Sequence, residues 1–212
     1  MKTLEREEQP VVFVIDDDES VRDTLKRLFC MEGLRAEAFA AAADFLKHKL
    51  PDVPTCLVLD VRLRGISGLD FQAELAKADI KIPIIFMTGY GDIPMSVKAM
   101  KAGALEFLPK PFRDQDMLDA VQLALERDRT RRQAERADAQ LRTNFESLSP
   151  REREVMAFVT AGLMNKQIAA QLDLAEVTVK LHRGSLMRKM NARSVAELAR
   201  MAEILGIERP KS

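Results

Sequence analysis

Cysteine is scarce in this chain: there are two, Cys30 and Cys56, in 212 residues. Both stand in apolar surroundings and read as small buried hydrophobes of a reducing compartment, which excludes a disulfide framework. No apolar run approaches the roughly 20 residues needed to span a bilayer. The opening MKTLEREEQP lacks the apolar segment of a signal peptide. A cytoplasmic protein without membrane contact is expected, with a disordered N-terminus over residues 1–10. Net charge is lacking as well: 33 Lys+Arg balance 33 Asp+Glu, so whole-molecule charge selects no partner. Internal repeats and low-complexity tracts are absent. The length suits one large or two small domains, and an apolar content of 47% is enough to fill their cores.

From position 11 to about 113 short apolar runs alternate with helical patterns. VVFVI (11–15), LRAEAF (34–39), TCLVLD (55–60), IPIIFMT (82–88) and LEFLPK (105–110) read as strands. The segments between them repeat apolar residues at three and four, as helices do. This predicts a doubly wound, five-stranded parallel α/β sheet. From Asp114 to about Asn144 glycine and proline are missing, which predicts one long helix. Met117, Leu118, Val121 and Leu125 line its first half. Beyond Leu125 it turns highly charged and reads as a solvated linker with an Ala134–Ala137–Leu141 stripe. The remainder predicts a small all-α domain of four helices. Ser149, Pro150 and Glu152 mark one helix start, Ser194 and Glu197 a second capping box, and Gly162 and Gly206 mark stops. The expected boundaries are 11–128, a helical linker over 129–145, and 146–212.

VFVIDDDES (12–20) sets three carboxylates at the mouth of a buried strand. In an open parallel sheet the crevice lies at the carboxyl ends of the strands. Asp16 and Asp17 end the first strand, Asp60 the third, Thr88 the fourth and Lys110 the fifth, while Asp18 caps the following helix. Carboxylates packed so closely need compensation. Oxygen ligands without His or Cys select a hard cation, and Mg²⁺ is the expected cofactor. The parts suit phosphoryl transfer: Asp60 as carboxylate nucleophile, with Mg²⁺, Lys110 and Thr88 each neutralising one equatorial oxygen.

At this point VIDDD, LVLDVRLRGISG, FMTGY and FLPKPF resemble the receiver domain of two-component response regulators, a flavodoxin-like fold. TGYGDIPMSVKAMKAGALEFLPKPF resembles the FixJ branch in particular. The resemblance implies that Asp60 accepts phosphate from a sensor histidine kinase. It implies that Asp17 and Asp60 ligate Mg²⁺ directly, Asp16 through water, and Arg62 through its backbone carbonyl. It also implies a switch in which Thr88 swings toward the phosphoryl group and Phe107 turns inward. Arg62 and Tyr90 would flank the path of an attacking water, so self-dephosphorylation should be slow or moderate. The chain departs from the family at Leu63-Arg64, where Met-Pro is usual. The rival from another class, a haloacid-dehalogenase-type phosphatase, places its nucleophile on the first strand, so a non-enzymatic phosphoacceptor is expected. A receiver that takes no phosphate is disfavoured by the intact Asp17, Asp60, Thr88 and Lys110.

In the third segment two helices joined by DLA have helix-turn-helix spacing. Residues 146–212 hold 11 Lys/Arg against 8 Asp/Glu, and the excess sits on 176–193 with Lys180, Arg183, Arg188, Lys189 and Arg193. Lys180, Leu181 and Arg183 are expected toward the DNA groove, with Lys166 and Thr178 on phosphates. His182 is either a further phosphate contact or a partly buried helix residue. Val177, Val179, Leu186 and Met190 read as core. LSPREREVMAFVTAGLMNKQIAAQLDLAEVTVKLHRGSLMRKM resembles the LuxR/NarL-type helix-turn-helix. Gly184 departs from it where relatives often carry a larger residue, and Ala175 where a capping serine or proline is common. Together the resemblances imply a phosphorylation-switched transcription factor. Its partners would be a cognate sensor histidine kinase, promoter DNA, a second copy of the chain when phosphorylated, and RNA polymerase if it activates.

Overall fold

A computed structural model of the chain describes residues 9–89 and 93–207. The expected disordered stretch 1–10 therefore lies almost wholly outside the described residues, as does Tyr90. The chain divides into two compact units, with the boundary between Gln133 and Ala134.

The first unit alternates strand and helix: β1 (Val11–Ile15), α1 (Glu19–Met31), β2 (Arg35–Phe39), α2 (Ala42–Lys47), β3 (Thr55–Asp60), α3 (Gly68–Lys77), β4 (Ile84–Thr88), α4 (Ile93–Lys101), β5 (Glu106–Pro109) and the start of α5 (Asp114–Glu146). All pairings are parallel and the order is β2-β1-β3-β4-β5, as the strand–helix alternation predicts. β1, β3 and β4 are buried along their whole length, which is why they read as continuous apolar runs. Their side chains alternate between two cores. Phe13, Ile15, Leu57, Leu59 and Phe86 meet Phe45 of α2, Phe71 of α3 and Ala99 of α4. Val12, Val14, Val58, Ile85 and Met87 meet Leu25 and Phe29 of α1 and Met117, Val121 and Leu125 of α5. Strand order reverses at β1, so the crevice opens over the ends of β1 and β3, where the aspartates are.

The solvated reading of α5 beyond Leu125 holds over 133–140, where every residue is exposed, but fails ahead of that stretch. Asp128 is fully buried. It accepts from the Thr55 N–H (2.9 Å), from Arg131 (2.6 Å) and from Arg132 (2.6 Å), while Arg132 also reaches Asp52 (3.0 Å). The acid thus ties α5 to the first residue of β3. Cys56 is buried as expected, but Cys30 is exposed: it falls on the outer side of α1, whose inner side is filled by Leu25 and Phe29.

The second unit begins within α5 and adds α6 (Pro150–Thr160), α7 (Asn165–Leu172), α8 (Glu176–Lys189) and α9 (Val195–Ile204). Leu141 does not form an open stripe; it is buried with Leu148, Val155, Val159, Ile168, Val179, Leu186 and Leu198. α6 starts with both halves of the capping box: the Glu152 N–H donates to Ser149 Oγ (3.2 Å) and the Ser149 N–H to Glu152 Oε2 (2.7 Å). At α9 only half the box forms. Ser194 accepts from the Glu197 N–H, but the Glu197 carboxylate takes the Arg193 N–H (2.8 Å). Gly162 and Gly206 adopt φ of 87° and 68°, the left-handed turn that stops a helix. Val179, Leu186 and Met190 are core, as expected; Val177 is not, being 65% exposed.

Candidate functional site

β1 delivers Asp16, 1% exposed, and the half-buried Asp17 to the crevice; β3 delivers Asp60, 8% exposed. Ligand oxygens of the three lie within 4.8 Å of one another. Lys110, one residue past β5, donates to Asp16 Oδ2 (2.7 Å) and Asp60 Oδ2 (3.0 Å). Its backbone N–H donates to the Thr88 carbonyl (2.7 Å), which fastens the end of β5 to the end of β4. The Thr88 side chain is fully buried there. The Arg62 N–H donates to Asp60 Oδ1 (3.1 Å). Asp18 caps α1 as its position predicts, accepting from the Ser20 N–H (2.8 Å), and its own N–H donates to Asp16 Oδ1 (2.8 Å).

Burial pushes the Asp16 carboxyl above its ordinary range, against the pull of Lys110 and the Asp18 N–H. Burial also works against the Lys110 ammonium, but its hydrogen bonds to Asp16 and Asp60 outweigh that and raise its pKa. Arg64 is a second counter-ion: its Nε donates to Asp17 Oδ2 at 2.8 Å. The cluster therefore holds three acids against two cations, a surplus of negative charge suited to a divalent ion. Phe107 on β5 packs against Phe86, ring centroids 6.3 Å apart, at the edge of the first core.

Sequence reasoning missed Gly68. A Cβ there would lie 2.4 Å from the Asp60 carbonyl oxygen. Its N–H donates to the Val61 carbonyl (2.8 Å), so bare backbone lets α3 sit directly beneath the Asp60 loop. The glycine in GISG was the available signal.

In the second unit α7 and α8 are joined by Asp173, Leu174 and Ala175, with Asp173 left-handed at φ 52°. Of the residues expected at DNA, Lys166, Lys180 and Leu181 are exposed and Thr178 is half-buried. Arg183 is partly buried and turned toward α7, donating to Asn165 Oδ1 (2.9 Å). His182 is half-buried, compatible with either reading. Lys189 points inward to Glu152 (2.6 Å). Against the cost of burial, Lys189, Ser185 and Ser149 lower the Glu152 carboxyl to about 2.

Comparison with known proteins assigns each unit to a family. The family described as response regulator receiver domain matches residues 12–122, and bacterial regulatory proteins, luxR family, matches 146–202. Nodulation protein W of Bradyrhizobium diazoefficiens is 60% identical over 93% of this chain and 87% of its own. Response regulator protein TmoT of Ectopseudomonas mendocina is 44% identical over 94% and 90%. The solved structure of response regulator StyR superposes with a TM-score of 0.85 at 50% identity, covering 92% of this chain and 98% of that one. No described helix is long and apolar enough to cross a membrane. A receiver fold carrying an acidic crevice, followed by a LuxR-type helix-turn-helix, makes this chain a member of the response-regulator family of transcriptional regulators.

Proposed function

We propose that phosphorylation of Asp60 switches this response regulator between states of low and high affinity for promoter DNA. The observation that carries the reading is the Asp60 carboxylate, held at the end of β3 by Lys110 and the Arg62 N–H between two further acids. A carboxylate oxygen of Asp60 attacks the phosphorus of a sensor kinase's phosphohistidine. An O–P bond forms, the P–N bond breaks, and the electron pair leaves with the imidazole. Transfer is stoichiometric, one phosphoryl group per chain, and the protein is a regulator and not a turnover enzyme.

The donor set of Asp16, Asp17 and Asp60 contains hard oxygens only and fits Mg²⁺, with the Arg62 carbonyl as a further ligand. When bound, that ion neutralises charge on the phosphoryl oxygens. Lys110 holds a second oxygen, and the Thr88 hydroxyl turns to the third. Phe107 then moves inward from its place beside Phe86. α4 exposes Ile93, Val97 and Met100. Ala99, expected at the centre of a pairing surface, is fully buried in the first core, so the surface on which a phosphorylated copy pairs with a second is the face of α4 and β5 around Val97, Met100 and Phe107. Residues 11–128 act as the phosphoacceptor, 129–145 as linker and 146–212 as DNA-binding domain. The setting is the cytoplasm, and RNA polymerase is a partner where the protein activates.

Acetyl phosphate with Mg²⁺ should add one phosphoryl mass to the wild type and none to Asp60→Asn. Only the wild type should then shift to a dimer on size exclusion and tighten on promoter DNA. An Asp60→Asn protein that binds its promoter as tightly as phosphorylated wild type overturns the reading.

A further inference from the structure

The outward face of α8 is unusual for a helix that reads DNA. At 100° per residue, Val177, Lys180, Leu181, Gly184 and Arg188 share an arc of roughly 100°. All five are exposed, Val177 at 65% and Leu181 at 71%. The opposite side is closed by Val179 and Leu186 in the core. A Cβ on Gly184 would meet nothing within 4 Å, so nothing inside the chain requires glycine there. The amide side chains that make the bidentate adenine contact are missing from this arc. α8 contains no Asn or Gln, and Arg183 is spent on Asn165. What remains is two branched apolar side chains one turn apart, a bare backbone patch beyond them, and cations at the borders.

We propose that this face recognises thymine methyl groups in the major groove through Val177 and Leu181. Gly184 lets the helix lie deeper than a larger residue would. The proposal rests on DNA binding by the helix-turn-helix unit and specifies what that unit reads. Charge complementarity selects the occupant. Lys180 and Arg188 on α8 and Lys166 on α7 are exposed around the apolar pair, as needed for phosphates on either side of a groove. An apolar protein partner would leave those cations without counter-charges. In the major groove the C5-methyl of thymine is the one apolar group a base edge presents.

The test starts from duplexes selected out of a randomised pool by the full chain, treated with beryllofluoride and Mg²⁺. Each thymine in the selected site is then replaced by uracil, which removes the methyl and keeps every hydrogen-bonding group. Wild type should lose about fourfold in affinity at each methyl it contacts, the worth of one buried methyl-sized group. Leu181→Ala and Val177→Ala should each lose that thymine-over-uracil preference at one position while keeping their salt dependence, which phosphate contacts set. Selected sites whose uracil forms bind wild type equally well overturn the proposal and leave DNA binding intact. A pool from which nothing is enriched above non-specific binding overturns the DNA-binding reading and the proposal with it.

Discussion

Replacing Lys110 by methionine keeps the bulk of the stem and removes the charge that the acidic crevice leans on. Among the described residues Lys110 supplies the cation in contact with Asp16 (2.7 Å) and Asp60 (3.0 Å). Removing one partner of a buried ion pair costs about 3–5 kcal/mol. Two features place this site at or below the low end. The Lys110 side chain keeps 23% of its surface in water. Asp16, already raised by burial, can also take up a proton once its cation is gone. A loss of about 2–3 kcal/mol is expected for the metal-free receiver. Mg²⁺ should restore part of it. A bound ligand stabilises in proportion to the logarithm of its concentration over Kd, and deleting a competing cation tightens that Kd; a tenfold gain is worth about 1.4 kcal/mol. The assay is denaturant unfolding of the full-length wild type and Lys110→Met with and without saturating MgCl₂, following the receiver transition separately because two units need not unfold together. A variant that loses less than about 0.5 kcal/mol without metal, or gains no more from Mg²⁺ than wild type, would refute the electrostatic account of the crevice.

Glu152 is depressed from 4.5 to about 2, so its stabilising contribution is present above pH 4.5 and drains away as pH falls toward 2. Glu152→Gln should flatten the acid-unfolding profile of the second unit in that window. Gly184→Ala adds a Cβ into open space and should stabilise that unit by about 0.5–1 kcal/mol; thermal unfolding would show the gain while gel shift shows weaker DNA binding. Arg64→Met frees Asp17 from an ion pair whose guanidinium side is 87% exposed. Calorimetry at low salt should find Mg²⁺ bound up to about fivefold tighter, with the difference fading at high salt. Exposed Lys166, Lys180, Arg188 and Arg193 predict a slope of about −3 to −4 for log K against log salt per helix-turn-helix unit, measured on a half-site duplex.

The sheet was legible because β1, β3 and β4 are buried on both faces and leave no polar residue inside the run. The acidic crevice was legible for the opposite reason: Asp16, Asp17 and Asp60 break those runs at the one end where a crevice must lie. Sequence fails where a residue's environment is set by a third element. Asp128 with Arg131 and Arg132 has the i+3 and i+4 spacing of any solvated helix pair. Only its docking on Thr55 makes it a buried clamp. Val177 fits the apolar pattern of α8 but falls on the side α6 and α7 leave uncovered, and Cys30 does the same on α1. Arg64 marked a departure at its position, but its reach to Asp17 depends on how the loop after β3 folds.

These internal commitments bear on how such a switch can work. Arg131 and Arg132 neutralise Asp128, Lys189 neutralises Glu152, and Arg183 is held by Asn165. A chain whose 33 cations are matched by 33 acids thus spends part of its positive charge on its own buried acids, and about four exposed cations around α8 remain for phosphates. Affinity for DNA scales with phosphates neutralised, so one helix-turn-helix unit should bind weakly whether or not Asp60 is phosphorylated. Joining two units makes the second contact intramolecular and multiplies affinity without any new contact. The receiver therefore need not reshape the DNA-binding surface. Under the proposed switch, a modest bias toward pairing supplied by one phosphoryl group far from α8 in sequence would be sufficient to control occupancy of a two-half-site promoter.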